Sequence, residues 1–275
     1  MIILEDAVPV SRQIISAGST GLRTDFSELV RRSILYSRQS RSIFEWAYIR
    51  LSRIEYLLGT VGGTVLYLAE AGSILNMMFS DLRSYVGDGL VESGYVVRGV
   101  YGTTYPELAS TSDDVVALSE SWFNKPRHGK TLDGRFSRRA RLAQRYLSHA
   151  IPLHKDHPAK FRKFLRSFFL GDVVGPGPAT GGSMYQYGQL ATFTEMHAFK
   201  QFFSKRLVSK SSIGWAHWRL SSWHKWYGGQ EICEQYAGSY TTGAPSSLDN
   251  RGLFHIDSIP AHPHPNCACY IEPAF

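Results

Sequence analysis

Apolar side chains return at every third or fourth residue through the first third of the chain, and that period points to α-helix. Phe26, Leu29, Val30 and Ile34 keep the spacing, with Arg31, Arg32, Arg38 and Arg41 on the opposite face. Asp25 followed by Glu28 reads as a helix start, the first side chain capping free N–H groups. A second stripe, Ile43, Ala47, Leu51, Ile54 and Leu58, steps by four, four, three and four. Glycines at 59, 62 and 63 break or bend this helix. Leu66 to Leu82 then resumes the helical pattern, and a further helix is expected from about Tyr185 to Val208. Val91 to Val100, rich in Val, Tyr and Gly, reads as a strand or hairpin. Tyr101 to Ser112 reads as loop, and Gly175 to Gly182 (GPGPATGG) as a turn or linker. The linker lacks the Gly-Lys-Ser/Thr ending of a phosphate-binding loop, so no nucleotide site of that kind is expected there.

Composition sets the limits on this reading. A chain of 275 residues with 43% hydrophobic side chains can bury one large core or two small ones, and 19% charged residues is too few for a disordered tail. The longest uncharged apolar stretch, Tyr56 to Ala69, falls short of the roughly 20 residues that span a bilayer. It is expected in the core, with no membrane contact. The opening MIILEDAVPV has no basic leader, so no secretory signal is read there.

The net charge of +7 favours partners with negative surfaces. It is concentrated in two runs. Arg135, Arg138, Arg139 and Arg141 belong to the first, and Lys160, Arg162 and Lys163 to the second, where Phe161, Phe164, Phe168 and Phe169 interleave. These seven basic residues are candidates for contact with nucleic-acid phosphates, where counterion release gives sequence-independent binding. The alternative is a pair of amphipathic helices with aromatic cores and solvated basic faces.

Three cysteines, Cys233, Cys267 and Cys269, all fall in one region, which also holds half of the ten histidines. An odd number excludes a complete disulfide framework and fits a reducing cytosol. Thiolate and imidazole are the donors zinc prefers, four at a time. The ligand set expected from the residues is His224, Cys233, His264 and Cys267, with Cys269 the rival. No CxxC pair is present; Gln230 stands where its first Cys would be. The metal-free alternative is a tightly packed turn with buried thiols. A metal would tie together the ends of the long polar loop from Gly238 to Ile259, offsetting the entropy of ordering it. Without an HExxH-like helix beside it, such an ion is expected to be structural.

The order of residues here has a family look. Trp218-Arg219-Leu220-Ser221 and His224 precede Glu231-Ile232-Cys233 and Tyr236-Ala237-Gly238; Ile259-Pro260, His264-Pro265-Asn266-Cys267-Ala268-Cys269 and Glu272-Pro273 close the chain. This resembles the C-terminal signature of the phage Mu F-like minor head (head morphogenesis) proteins. Ala268 stands where that family has arginine, and Glu231 where aspartate is commoner. Upstream, Ser183-Met184-Tyr185, Leu190-Ala191 and Thr194-Glu195 are similar to its helix with an R-L-A-R-T-E run, without the arginines, and Gly134 to Arg139 is a weaker echo of its L-S-x-R element. The resemblance covers about residues 180–275.

The resemblance implies a non-enzymatic structural protein of the virion, present in a few copies in a tailed-phage head. It would bind portal protein, major capsid protein or both, with packaged double-stranded DNA as a further contact. The expected architecture is α+β: a mainly helical part over 1–174, and a smaller α/β part over 183–275 closed by a Cys/His knot. Two other readings stay open. One is a metal-dependent nuclease of the His–Asn–His kind using His255, His264 and Asn266, although Pro260, Pro263 and Pro265 forbid the regular helix such a site uses. The other is a DNA-binding module without catalysis.

Overall fold

A computed structural model of the chain describes residues 21–105, 108, 114–127, 129–171, 183–221, 231–244, 250–260, 267 and 269–274. The elements are α1 (Gly21–Gln39), α2 (Arg41–Arg53), a 3-10 turn (Glu55–Gly59), α3 (Gly63–Thr104), α4 (Val115–Asn124), α5 (Leu132–His154) and α6 (Pro158–Leu170). They continue with α7 (Met184–Ser209), β1 (Trp215–Arg219), α8 (Glu231–Gly238), β2 (Leu253–His255) and β3 (Tyr270–Ala274). The fold is α+β, as the sequence suggests: a mainly helical chain with one three-stranded antiparallel sheet, order β2-β1-β3, near the C-terminus.

Two compact units are present, one made of residues 1–36, 88–119 and 192–275, the other of 37–87 and 120–191. The dividing points fall inside α1, α3, α4 and α7, so these helices contribute to both. The segments 1–174 and 183–275 therefore do not map one to one onto the packing units.

The unit of residues 37–87 and 120–191 is helical. Thr131 caps α5 by accepting from the Gly134 N–H at 3.0 Å, and Pro158 opens α6, where a missing N–H costs nothing. Leu132, Phe136, Ala143 and Leu147 of α5 are buried, as are Phe161, Leu165 and Phe168 of α6. Phe161 meets the edge of Tyr67 at 5.5 Å, and Tyr67, fully buried, donates to the Leu51 carbonyl at 3.4 Å. Arg83 pairs with Asp133 at 2.8 Å and lies over the Phe123 ring at 4.2 Å.

The unit of residues 1–36, 88–119 and 192–275 packs helices on the small sheet. β1 lies in the centre, paired with β2 through Trp215–His255, Ala216–Phe254 and His217–Leu253, and with β3 from Trp215–Ala274 to Arg219–Tyr270. Phe26 of α1 stacks on Tyr270 of β3 at 5.1 Å and meets the edge of Tyr101 of α3 at 5.9 Å. Tyr101 donates its hydroxyl proton to the Ile271 carbonyl at 2.6 Å, fastening β3 to α3. Arg219 and Glu272 form an ion pair across β1 and β3.

Several expectations are corrected. Val91–Val100 is neither strand nor hairpin but lies within α3. Its buried positions, Ser93, Gly94, Val97, Val100 and Tyr101, follow the helical period. The glycines that suggested a hairpin serve packing: a Cβ on Gly94 would sit 2.4 Å from Val115 Cγ1. Tyr101–Thr104, expected as loop, continue the same helix. The helix assigned to Asp25 begins at Gly21 instead, and Glu28 bonds Arg31 and Arg32 rather than reaching back to a cap. In the second stripe Ala47 and Leu51 are buried with Phe44 in place of Ile43, and α2 stops at Arg53, leaving Ile54 and Leu58 outside it.

The Tyr56–Ala69 stretch is not core. Tyr56, Val61, Val65 and Leu66 are exposed, because the stretch forms the turn after α2 and the first two turns of α3, where only Tyr67 faces inward among its large side chains. No helix among the described residues is long and apolar enough to cross a membrane. The Gly175–Gly182 linker lies outside the described residues.

Candidate metal centre

Cys233 sits on α8, while Cys267 and Cys269 lie just before β3. Pairing of β3 with β1 carries the second and third thiols to the sheet. α8 packs on the same strand through Tyr236, whose ring meets the edge of buried Trp218 at 5.6 Å. The strand, the helix and the incoming segment thus converge on one point. All three cysteines are buried and unbridged, and their sulfurs lie within 4.8 Å of one another.

Gly252 closes the construction. It has φ of 66°, and a Cβ there would come 2.8 Å from the Trp218 carbonyl oxygen and 2.9 Å from that of Ala237. Its own carbonyl accepts from the Trp218 N–H at 2.7 Å. The loop expected from Gly238 to Ile259 therefore contains a strand, β2, docked through this glycine on β1 and α8.

Cys233 and Cys267 sulfurs are 3.7 Å apart. That is the edge of a tetrahedron about an ion with metal–sulfur distances near 2.3 Å, about 3.8 Å. It also suits a thiol–thiol hydrogen bond, so the donor set fits a soft or borderline metal and also fits a packed metal-free cluster. Three neighbouring thiols cannot ionise independently. The Cys269 thiol lies far below its usual range because Cys233 and Cys267 donate to it, helped by the Ser221 backbone N–H and by Lys200. Cys233 is pushed up by donation to Cys267 and Cys269 and by burial.

Helix α7 supplies partners that the sequence reading missed. Lys200, fully buried, donates from Nζ to the Cys269 carbonyl at 2.8 Å, and Gln201 Nε2 donates to the same oxygen at 3.0 Å. Gln201 Nε2 also approaches Cys267 Sγ at 3.8 Å. Burial pulls Lys200 down to about 8, and Cys267 and Cys269 oppose the shift. Residues 192–200 are buried on every side of the helix, and a lysine inside such a run needs a partner, but the polar residues spread through TFTEMHAFK give no sign of that burial in the sequence. Glu195 and His197 belong to the same buried run, and His197 Nε2 lies 2.9 Å from the Ser33 hydroxyl.

Of the expected ligands, Cys233, Cys267 and Cys269 come together, so Cys269 joins the other two rather than replacing one. His224 and His264 lie outside the described residues, as do His262 and Asn266. His255 caps the 3-10 turn after β2 with its side chain half exposed, Nδ1 being 3.5 Å from an Asp257 carboxylate oxygen. Among the basic candidates, Arg138, Arg141, Lys160 and Lys163 are exposed on the sides of α5 and α6 turned from their buried residues. Arg135 and Arg139 are half-buried, with Arg139 over the Tyr187 ring at 4.9 Å, and Arg162 pairs with Glu55 at 3.4 Å.

Comparison with known proteins finds no matching family model, no matching curated protein and no matching solved structure.

Proposed function

We propose that this chain is a minor structural protein of a tailed-phage head, acting in assembly on the portal protein, the major capsid protein or both. In this reading it catalyses no reaction. Its cysteine centre holds zinc as a structural ion, completed by His224 or His264. The observation that carries the proposal is the convergence of Cys233, Cys267 and Cys269, the thiols of the head-protein signature, in one buried cluster. Thiolates separated by a long loop and brought to one point suit a folding staple, and zinc in such sites contributes to folding directly. The exposed basic residues of α5 and α6 support double-stranded DNA as a secondary contact.

The test is an inventory of purified particles of the phage that encodes the chain. Quantitative mass spectrometry should find it in a few copies per particle, cofractionating with portal or shell protein. Its absence from particles, with the soluble chain abundant in the same lysate, overturns the proposal. Plasmid cleavage in the presence of a divalent metal, lost in His264→Ala, would replace it with the nuclease reading. Elemental analysis of the purified chain should give about one zinc per molecule, the stoichiometry of a single structural site.

A further inference from the structure

The turn after α2 and the first turns of α3 carry Tyr56, Val61, Val65 and Leu66, all exposed, on a stretch without a charged residue from Tyr56 to Ala69. A cluster of large apolar side chains in water marks a contact surface. Val61 reaches 103% relative exposure, so it belongs to a projection and not to a groove. The turn is built to hold that shape. The N–H groups of Leu57, Thr60 and Gly63 donate to the carbonyls of Ile54, Leu57 and Thr60 at 2.9–3.1 Å, and those of Val65 and Leu66 both donate to Gly62. The Thr60 hydroxyl donates to the Leu57 carbonyl at 2.7 Å. Gly62 has φ of 72°, and a Cβ on Gly63 would collide with the Leu57 carbonyl. These backbone groups are already paired, which lowers the cost of taking the turn out of water.

Basic residues surround the projection. Arg50 and Arg53, both exposed, close α2. Lys160 and Lys163 are exposed on the first turns of α6. That end of α6 is held beside the turn by Phe161, which meets Tyr67, and by Arg162, which pairs with Glu55. Within residues 50–70 and 153–163, Arg50, Arg53, Lys155, Lys160, Arg162 and Lys163 outnumber the acidic Glu55, Glu70 and Asp156. We infer that this end of the helical unit binds the surface of an anionic phospholipid bilayer. Val61, Val65 and Leu66 enter the boundary of the hydrocarbon, Tyr56 rests at headgroup level, and the basic ring meets the lipid phosphates. A bilayer offers that order of layers, negative charge outside and apolar chains beneath, to an apolar projection with a basic ring. The inference is independent of the head-protein reading and of the metal centre.

Flotation of the full chain with lipid vesicles is the test. Vesicles of equal parts phosphatidylcholine and phosphatidylglycerol should carry the wild type, and vesicles of phosphatidylcholine alone should carry much less of it. High salt should weaken binding to the mixed vesicles. Val61→Asp changes a fully exposed side chain, so the thermal midpoint should hold. It should bind the mixed vesicles about 10–100-fold more weakly, the worth of burying one aliphatic side chain. Val61→Trp places an interfacial aromatic at the same point and should bind more tightly, a gain that misfolding does not produce. Arg50→Gln with Arg53→Gln should weaken binding to the mixed vesicles about 25-fold, or about fivefold for each charge near the surface. A wild type that does not float, or floats equally with both kinds of vesicle, overturns the inference. So does a Val61→Asp chain that floats as well as the wild type, since basic charge alone then explains adsorption. A wild type that self-associates without lipid, with Val61→Asp monomeric, also overturns it and makes the projection a contact between copies of the chain.

Discussion

Gly252 is a residue whose replacement has a computable consequence. Alanine there must adopt a left-handed backbone and push two carbonyl oxygens aside. The backbone alone costs about 1–2 kcal/mol, and the displaced oxygens add to it. Gly252→Ala should therefore lower the denaturation midpoint measured in urea. Tyr101→Phe leaves the Ile271 carbonyl without its hydroxyl donor in a buried place, a loss of about 1–3 kcal/mol in the same experiment. Glu28 gives a pH-dependent case. The hydrogen bond from Arg31, with help from Arg32, holds its carboxyl below the ordinary value. A depressed carboxyl contributes stability above its unfolded pKa and loses it as pH falls through the folded value. Glu28→Gln should thus destabilise slightly at neutral pH, by less than about 1 kcal/mol for so exposed a pair, and make no difference near pH 2. At this scale the thiols were legible in the sequence because three cysteines in one region are conspicuous chemistry. Lys200 and Gln201 were not, because their partners lie far along the chain and nothing in a helical stretch says which strand will cross it.

Among the elements, α5 and α6 illustrate what periodicity can and cannot say. The buried face of α6 was readable from Phe161 and Phe168, and Arg138, Arg141, Lys160 and Lys163 lie on exposed helix surface while Arg135 and Arg139 are half-buried. Whether that surface binds DNA is a separate question, answered by replacing Arg138, Arg141, Lys160 and Lys163 together with glutamine. The thermal midpoint should hold, since surface changes of this kind are nearly neutral. DNA affinity should fall, and its dependence on salt should flatten by roughly one unit of slope for each phosphate contact removed. An unaltered salt slope would dismiss these helices as a phosphate surface. The misreading of Val91–Val100 has the opposite lesson. Val and Tyr favour strands where they fit a pleated surface, but here their spacing and the glycine that admits Val115 belong to a helix under close packing. The apolar run around Val61 was misjudged because hydropathy states what a side chain prefers, not whether the chain turns outward there.

For the molecule as a whole, the two packing units predict an uneven response to loss of the ion. If zinc staples the sheet, a strong chelator or Cys233→Ser should raise hydrogen exchange in β1, β2, β3 and α8 while leaving α2, α5 and α6 protected. Uniform protection across all of them would mean the thiols pack without needing an ion. The helical part was foreseeable from period and the smaller α/β part was expected from the Cys/His region and its family resemblance, whereas the interleaving of segments was not foreseeable, since long helices such as α3 belong to both units. The sheet order has one more effect, on biosynthesis. β1 leaves the ribosome before either of the strands that flank it, so a translation pause between Arg219 and Leu253 presents both its hydrogen-bonding edges at once. Nascent chains arrested in that window should be captured by chaperones that recognise extended apolar segments, and chains arrested with Ala274 clear of the exit tunnel should escape them.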